Sequence, residues 1–261
     1  MGLPQELIDE ILSYLSLDDE HGKQSLRSCS LVAKSWINPS RRHLFETVAI
    51  LELTGTLQSW LDSIPPANDD LLQHVRSLSL MFTTRPIDLR PVRHVDVLQD
   101  YFPFLHQLRH LSLSSAHLLS DIPQRVDLFS AFRHTLSQLS LGRCEVATSA
   151  LGALIDYFPN LNRLNLSRIT RGLDDEPVSP VSRPLVERLY TSGLYGTMGF
   201  LDQLSGLGLV FEEIVLDERA SAHLVERVAD AVGMSVKHLR LLQPLRGCVY
   251  HPPSKARREI R

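Results

Sequence analysis

The feature that most constrains this chain is a short apolar pattern, L-x-x-L-x-L, that returns along most of its length. The clearest copies are Leu108, Leu111, Leu113; Leu136, Leu139, Leu141; Leu161, Leu164, Leu166; and Val236, Leu239, Leu241. Weaker copies are Val48, Leu51, Leu53; Val75, Leu78, Leu80; Val186, Leu189 with Thr191; and Phe211, Ile214, Leu216. First positions fall at 48, 75, 108, 136, 161, 186, 211 and 236, and the last four steps are all 25 residues. Alternation in the second half of each copy predicts a short strand with one face buried. Between strands the apolar spacing changes to three and four, which predicts helices over Asp96 to Phe102, Val126 to Phe132, Ala150 to Phe158, Phe200 to Leu204 and Ala222 to Val232. A unit this small cannot bury its own apolar stripe. Neighbours must therefore stack, with a parallel sheet lining the inner wall of an arc and helices outside it.

The pattern resembles the leucine-rich-repeat family, whose unit is about 20 to 29 residues long. That resemblance implies an α/β fold, a right-handed solenoid with a parallel sheet on its concave face. The family often places Asn or Cys eight residues after the first leucine, where the side chain satisfies backbone groups at the turn. Of the eight such positions here, only Cys144 fits. The 33-residue step from 75 to 108 carries its excess in Met81 to Arg93, where Pro86 and Pro91 predict a loop. Arg171 to Pro184, rich in Pro, Ser and acidic residues, predicts an irregular outer wall for its unit, and residues 248–261 form a basic, proline-containing tail. The expected division is a helical module over 1–46, repeats over 47–247 and this tail.

Ahead of the repeats the pattern differs. Leu7, Ile8, Ile11, Leu12 and Leu15 make a helical stripe opened by Pro4, whose missing N–H costs least at a helix start. The polar run Asp18 to Lys23 is expected to end it. Leu26, Cys29, Val32, Ala33 and Trp36 predict a second helix, and Asn38-Pro39 reads as the cap and first residue of a third. Three short helices in so few residues leave apolar surface for something else to cover.

The string Leu3-Pro4-Gln5-Glu6-Leu7-Ile8-Asp9-Glu10-Ile11-Leu12-Ser13-Tyr14-Leu15, with Cys29-Ser30-Leu31-Val32-Ala33-Lys34-Ser35-Trp36, resembles an F-box. Ser40-Arg41-Arg42-His43-Leu44-Phe45 is similar to the close of that motif in fungal members. The resemblance implies docking onto the Skp-type adaptor, and through it a cullin, of an SCF-type cullin-RING ubiquitin ligase. Carried over by position, the adaptor contacts are Leu3, Pro4, Ile8, Ile11, Leu12, Leu31, Val32 and Trp36. The implied function is a substrate receptor and not an enzyme. The alternative is a non-ligase protein-binding scaffold whose F-box is vestigial or binds the adaptor only.

Composition narrows the other classes. A formal charge of −3, with 27 basic and 30 acidic side chains mixed along the chain, favours neither nucleic acid nor anionic lipid as partner. The first residues have acids where a secretory signal has cations, and no apolar run approaches the roughly 20 residues of a membrane span. Three widely spaced cysteines fit a reducing compartment, cytoplasmic or nuclear. Neither a metal nor a cofactor is expected. His106 and His110 are four apart but lack the Glu of a zinc helix, and the glycines near 193–199 and 206–208 lack the phosphate-loop ending.

A protein substrate is expected on the inner wall, where outward-pointing strand residues form one surface. Arg143, Arg163, Arg168, Arg188 and Tyr190 fall at such positions, as do Glu213 and Arg240. Arg163 and Arg188 are equivalent residues one repeat apart, about 5 Å strand to strand, and two adjacent guanidinium groups suit an acidic or phosphorylated peptide. The plainer reading is a solvated charged face with acids on hand.

Overall fold

The computed structural model describes residues 3–15, 20–52, 69–82, 101–114, 126–171, 180–182, 185–192, 204, 206–216 and 236–242. The helices expected over Asp96 to Phe102, Phe200 to Leu204 and Ala222 to Val232 lie wholly or mostly outside these residues. So do the segments Met81 to Arg93 and Arg171 to Pro184, and the tail 248–261.

The described chain is mixed α/β. Its helices are α1 (Gln5–Ser13), α2 (Glu20–Cys29), α3 (Lys34–Glu46), α4 (Asp69–Leu72) and α5 (Thr148–Tyr157), with 3-10 turns at Phe102–Phe104 and Val126–Phe132. The strands are β1 (Thr47–Glu52), β2 (Ser77–Phe82), β3 (His110–Ser114), β4 (Gln138–Gly142), β5 (Glu145–Val146), β6 (Arg163–Ser167), β7 (Thr170–Arg171), β8 (Leu185–Ser192), β9 (Val210–Leu216) and β10 (His238–Leu241). Eight of them form a parallel sheet in the order β1-β2-β3-β4-β6-β8-β9-β10, while β5 and β7 pair separately. The chain divides into two compact units, Met1–Leu111 with Leu128–Thr135, and Ser112–Asp127 with Leu136–Arg261.

In the first unit the three N-terminal helices close on Ile8, Leu12 and Leu26, with Leu15, Cys29, Trp36 and Leu44 packed around them. The helix boundaries differ from expectation. The polar run begins α2 instead of merely ending α1, since Glu20–Lys23 is already helical. Trp36 belongs to α3, which starts at Lys34 after an extended Ala33, and Pro39 lies inside that helix instead of at its start. Proline there removes one backbone donor, whose acceptor would be Ser35; Ser35 is exposed, so water reaches that end of the helix. Further along, Phe102, Phe129 and Phe132 form an aromatic triad with centroids 5.5 to 5.8 Å apart.

The first strand also departs in register. Val48 stands opposite Leu78 and Ile50 opposite Leu80, so Val48 is the fourth residue of its copy and not the first. Counting back three residues, as from Leu78 to Val75, lands on Phe45 near the end of α3. Leu53 lies outside the described residues. The stretch Val126–Phe132 forms a 3-10 helix where a helix was expected.

In the second unit the repeat spacing is realised as register. Leu139 is opposite Leu164 and Leu141 opposite Leu166. Leu164 in turn faces Leu189, Leu189 faces Ile214, and Ile214 faces Leu239. Burial alternates along β4 and β6, because successive side chains of a strand point to opposite faces. Helix α5 covers its side of this unit with Leu151, Leu154 and Ile155, all buried. Cys144 is buried at the expected turn, its thiol donating to the carbonyls of Leu113 and Gly142.

Candidate functional site: an apolar helical surface and a charged sheet face

The residues carried over as adaptor contacts differ in burial. Ile8 and Leu12 are fully buried, so in this fold they form the core that supports a surface instead of offering atoms to a partner. Trp36 is half-buried against that core. Leu3, Pro4, Ile11, Leu31 and Val32 are exposed. Leu31 and Val32, in the turn between α2 and α3, are 86% and 68% accessible, an arrangement that costs solvation unless something covers them.

Sequence reasoning missed two members of this surface. Leu7 and Tyr14 are exposed, so Leu3, Leu7, Ile11 and Tyr14 run along one side of α1 at intervals of four, four and three. In sequence Leu7 belongs to the same helical stripe as Ile8 and Leu12, because apolar residues on both sides of a helix give a stripe too wide to divide by periodicity. The helix is thus apolar on an inner face, Ile8 and Leu12, and again on an outer one.

The second assembly lies on the face of β4, β6, β8, β9 and β10 away from the leucines. Cross-strand register sets Gln138, Arg163, Arg188, Glu213 and His238 in one row. Ser140, Asn165, Tyr190, Val215 and Arg240 form the next. Arg163 and Arg188 are neighbours, as expected. They are not, however, two free cations. Arg188 Nε donates to one oxygen of Glu213, and Arg240 Nε donates to the other at 2.8 Å. Glu213, itself buried, is clasped by guanidinium groups from the strands on either side. Arg163 is exposed and makes no side-chain ion pair among the described residues. Tyr190 is half-buried, and Asn165 Nδ2 donates to Ser140 Oγ at 2.9 Å.

Arg143 and Arg168 are exposed and follow β4 and β6 directly. Each has a φ of 52°, the left-handed region. The N–H of Arg143 donates to the Ser167 carbonyl at 2.7 Å and that of Arg168 to the Ser192 carbonyl at 2.8 Å, which holds both turns in the same shape.

Elsewhere, His110 Nδ1 lies 3.3 Å from Ser77 Oγ, and burial lowers the histidine's pKa below its usual 6.5. His106 is exposed. A cleft of about 490 Å³ borders Phe158, Asn162, Ser182 and Glu187, and the Ser182 hydroxyl is tied to Asp156 at 2.9 Å. Among the described residues no group of three or more metal-ligating side chains is assembled, and no helix is long and apolar enough to cross a membrane. No protein-family model matches the chain, and no curated protein matches it.

Proposed function

We propose that the chain is the substrate-recognition subunit of an SCF-type cullin-RING ubiquitin ligase. In this reading the helical module docks on a Skp-type adaptor, and the parallel repeats form a right-handed solenoid whose concave face holds a protein substrate. The observation that carries it is the outer apolar side of α1, together with exposed Leu31 and Val32, on a module with the F-box string. The core of this module closes on Ile8, Leu12 and Leu26, and the outer residues are exposed in place of joining it. Adaptor contact would bury them, and standard interfaces bury about 1,600 Å² in total. Ubiquitin transfer then follows from proximity, because the bound substrate is held at high local concentration beside the partner enzyme.

The test is co-expression of the intact chain with a Skp-type adaptor and a cullin. A stoichiometric ternary complex is expected. Replacing Leu31 and Val32 by Ser should weaken adaptor binding about thirtyfold, the equivalent of about 2 kcal/mol at a hot spot. Adaptor binding without cullin would favour the scaffold alternative. Titration calorimetry that shows no adaptor binding would sink the ligase reading and leave only a scaffold whose helical module is vestigial.

A further inference from the structure

We propose that the sheet face grips a carboxylate-rich segment of its partner, a run of Asp and Glu, through Arg143 and Arg168. The inference rests on the reading of this face as the substrate-holding surface, and is independent of adaptor docking. A left-handed φ brings the β-carbon against the following carbonyl oxygen, so glycine and asparagine are the residues that adopt it at least cost. Here two successive copies place arginine in that conformation, at equivalent positions and with the same backbone hydrogen bond. Glycine would serve the turn better. Neither guanidinium makes an ion pair among the described residues, and both are exposed. Strain accepted twice for side chains that bind nothing within the described protein marks them as groups directed at something outside it.

The chemistry of the occupant follows from what surrounds them. The adjoining strands β4 and β6 are in register, so the two arginines sit about 5 Å apart along the hydrogen-bonding direction and present two forks to neighbouring anions. Their own backbone N–H groups are consumed by Ser167 and Ser192, so they cannot join in the converging cradle of donors that a phosphate dianion draws on. Two planar forks match two carboxylates. The chain's net charge of −3 opposes a long polyanion such as nucleic acid, whereas a short acidic segment answers to the local cations. Arg163, which makes no ion pair among the described residues, adds a third cation at the opposite end of β6, while Arg188 is held by Glu213.

The experiment uses the intact chain and a fluorescein-labelled octapeptide of alternating Glu and Asp, read by fluorescence anisotropy. Saturable binding that weakens as salt rises is expected. The double variant Arg143→Gly with Arg168→Gly should bind at least tenfold more weakly, with an equal or higher Tm, because glycine relieves the turns it occupies. A merely structural role would move Tm in the opposite direction. Equal binding by the double variant overturns the proposal, as does a failure of the intact chain to bind the peptide. A phosphoserine peptide of matched charge that binds tenfold tighter also overturns it, in favour of phosphate. Adaptor capture, measured on the same variant, should be unchanged. Loss of adaptor binding by the native chain, with peptide binding intact, defeats the ligase reading and leaves this one standing.

Discussion

Thr191 on β8 stands in register with Leu166 on β6, and its hydroxyl, buried at the place where its neighbour carries an isobutyl group, has no hydrogen-bond partner among the described residues. On the other side it faces Leu216. A buried hydroxyl without a partner loses its hydration and regains nothing. Thr191→Val keeps the shape and removes the oxygen, and should stabilise the protein by about 1 kcal/mol in urea unfolding. A destabilised variant would show that the hydroxyl is satisfied in solution.

The two apolar sides of α1 should respond differently to substitution. Ile8→Ala removes a fully buried side chain and is expected to cost about 3 kcal/mol in stability. Ile11→Ser, three residues on but exposed, should change stability by less than about 1 kcal/mol while it weakens adaptor binding. Thermal melting and calorimetric titration of both variants check the division. Equal losses of stability would mean that the outer side is core after all.

Glu213 links three strands through Arg188 and Arg240, yet the arginine side chains are 47% and 65% accessible. Water screens such pairs, so double-mutant cycles should give a coupling of about 0.5 kcal/mol for each, shrinking as salt is added. Removing the acid frees both guanidinium groups. Glu213→Gln should therefore raise the affinity of the sheet face for the acidic octapeptide. Unchanged affinity would place the bound peptide away from this row.

Burial lowers the pKa of His110 in the folded protein, so the unfolded chain binds its proton more readily. The contribution to stability is complete above the usual value of 6.5 and is lost as pH falls from there through the depressed folded value. His110→Asn should flatten that part of the stability-pH curve, measured by denaturant melts at closely spaced pH. The same slope in the variant would assign it to other groups.

How much of this was legible in sequence depends on which residue carried the signal. From Leu136 onward the register of the strands followed from the repeat, because a recurring core position takes mostly apolar residues at a fixed interval. The first copy failed by three residues. Phe45 ends a helix and Val48 begins a strand, and Val48, Leu51 and Leu53 also satisfy the template, so the pattern alone offers two registers. Trp36 was assigned to the second helix because Asn38-Pro39 is a common helix opening, whereas the bundle tolerates Pro39 within α3. The adjacency of Arg163 and Arg188 was legible from spacing. The clasp on Glu213 was not, since spacing brings strands together without telling which of several charges will pair. The left-handed turns at Arg143 and Arg168 gave no sign at all, because neither glycine nor asparagine stands there.

Helix α3 ends at Glu46 and strand β1 starts at Thr47, with Arg76 bonded at 3.1 Å to the Glu46 carboxylate. No residue between them serves as a hinge. The phase of the helix about its axis and the phase of the strand's pleat are therefore locked through one peptide bond. One residue inserted at this junction would rotate the helices by about 100° relative to the strand, or turn Val48 and Ile50 from the core side to the opposite side. The junction works as a rigid coupling, whose angle is written in the count of residues and not in a contact that could be repaired elsewhere.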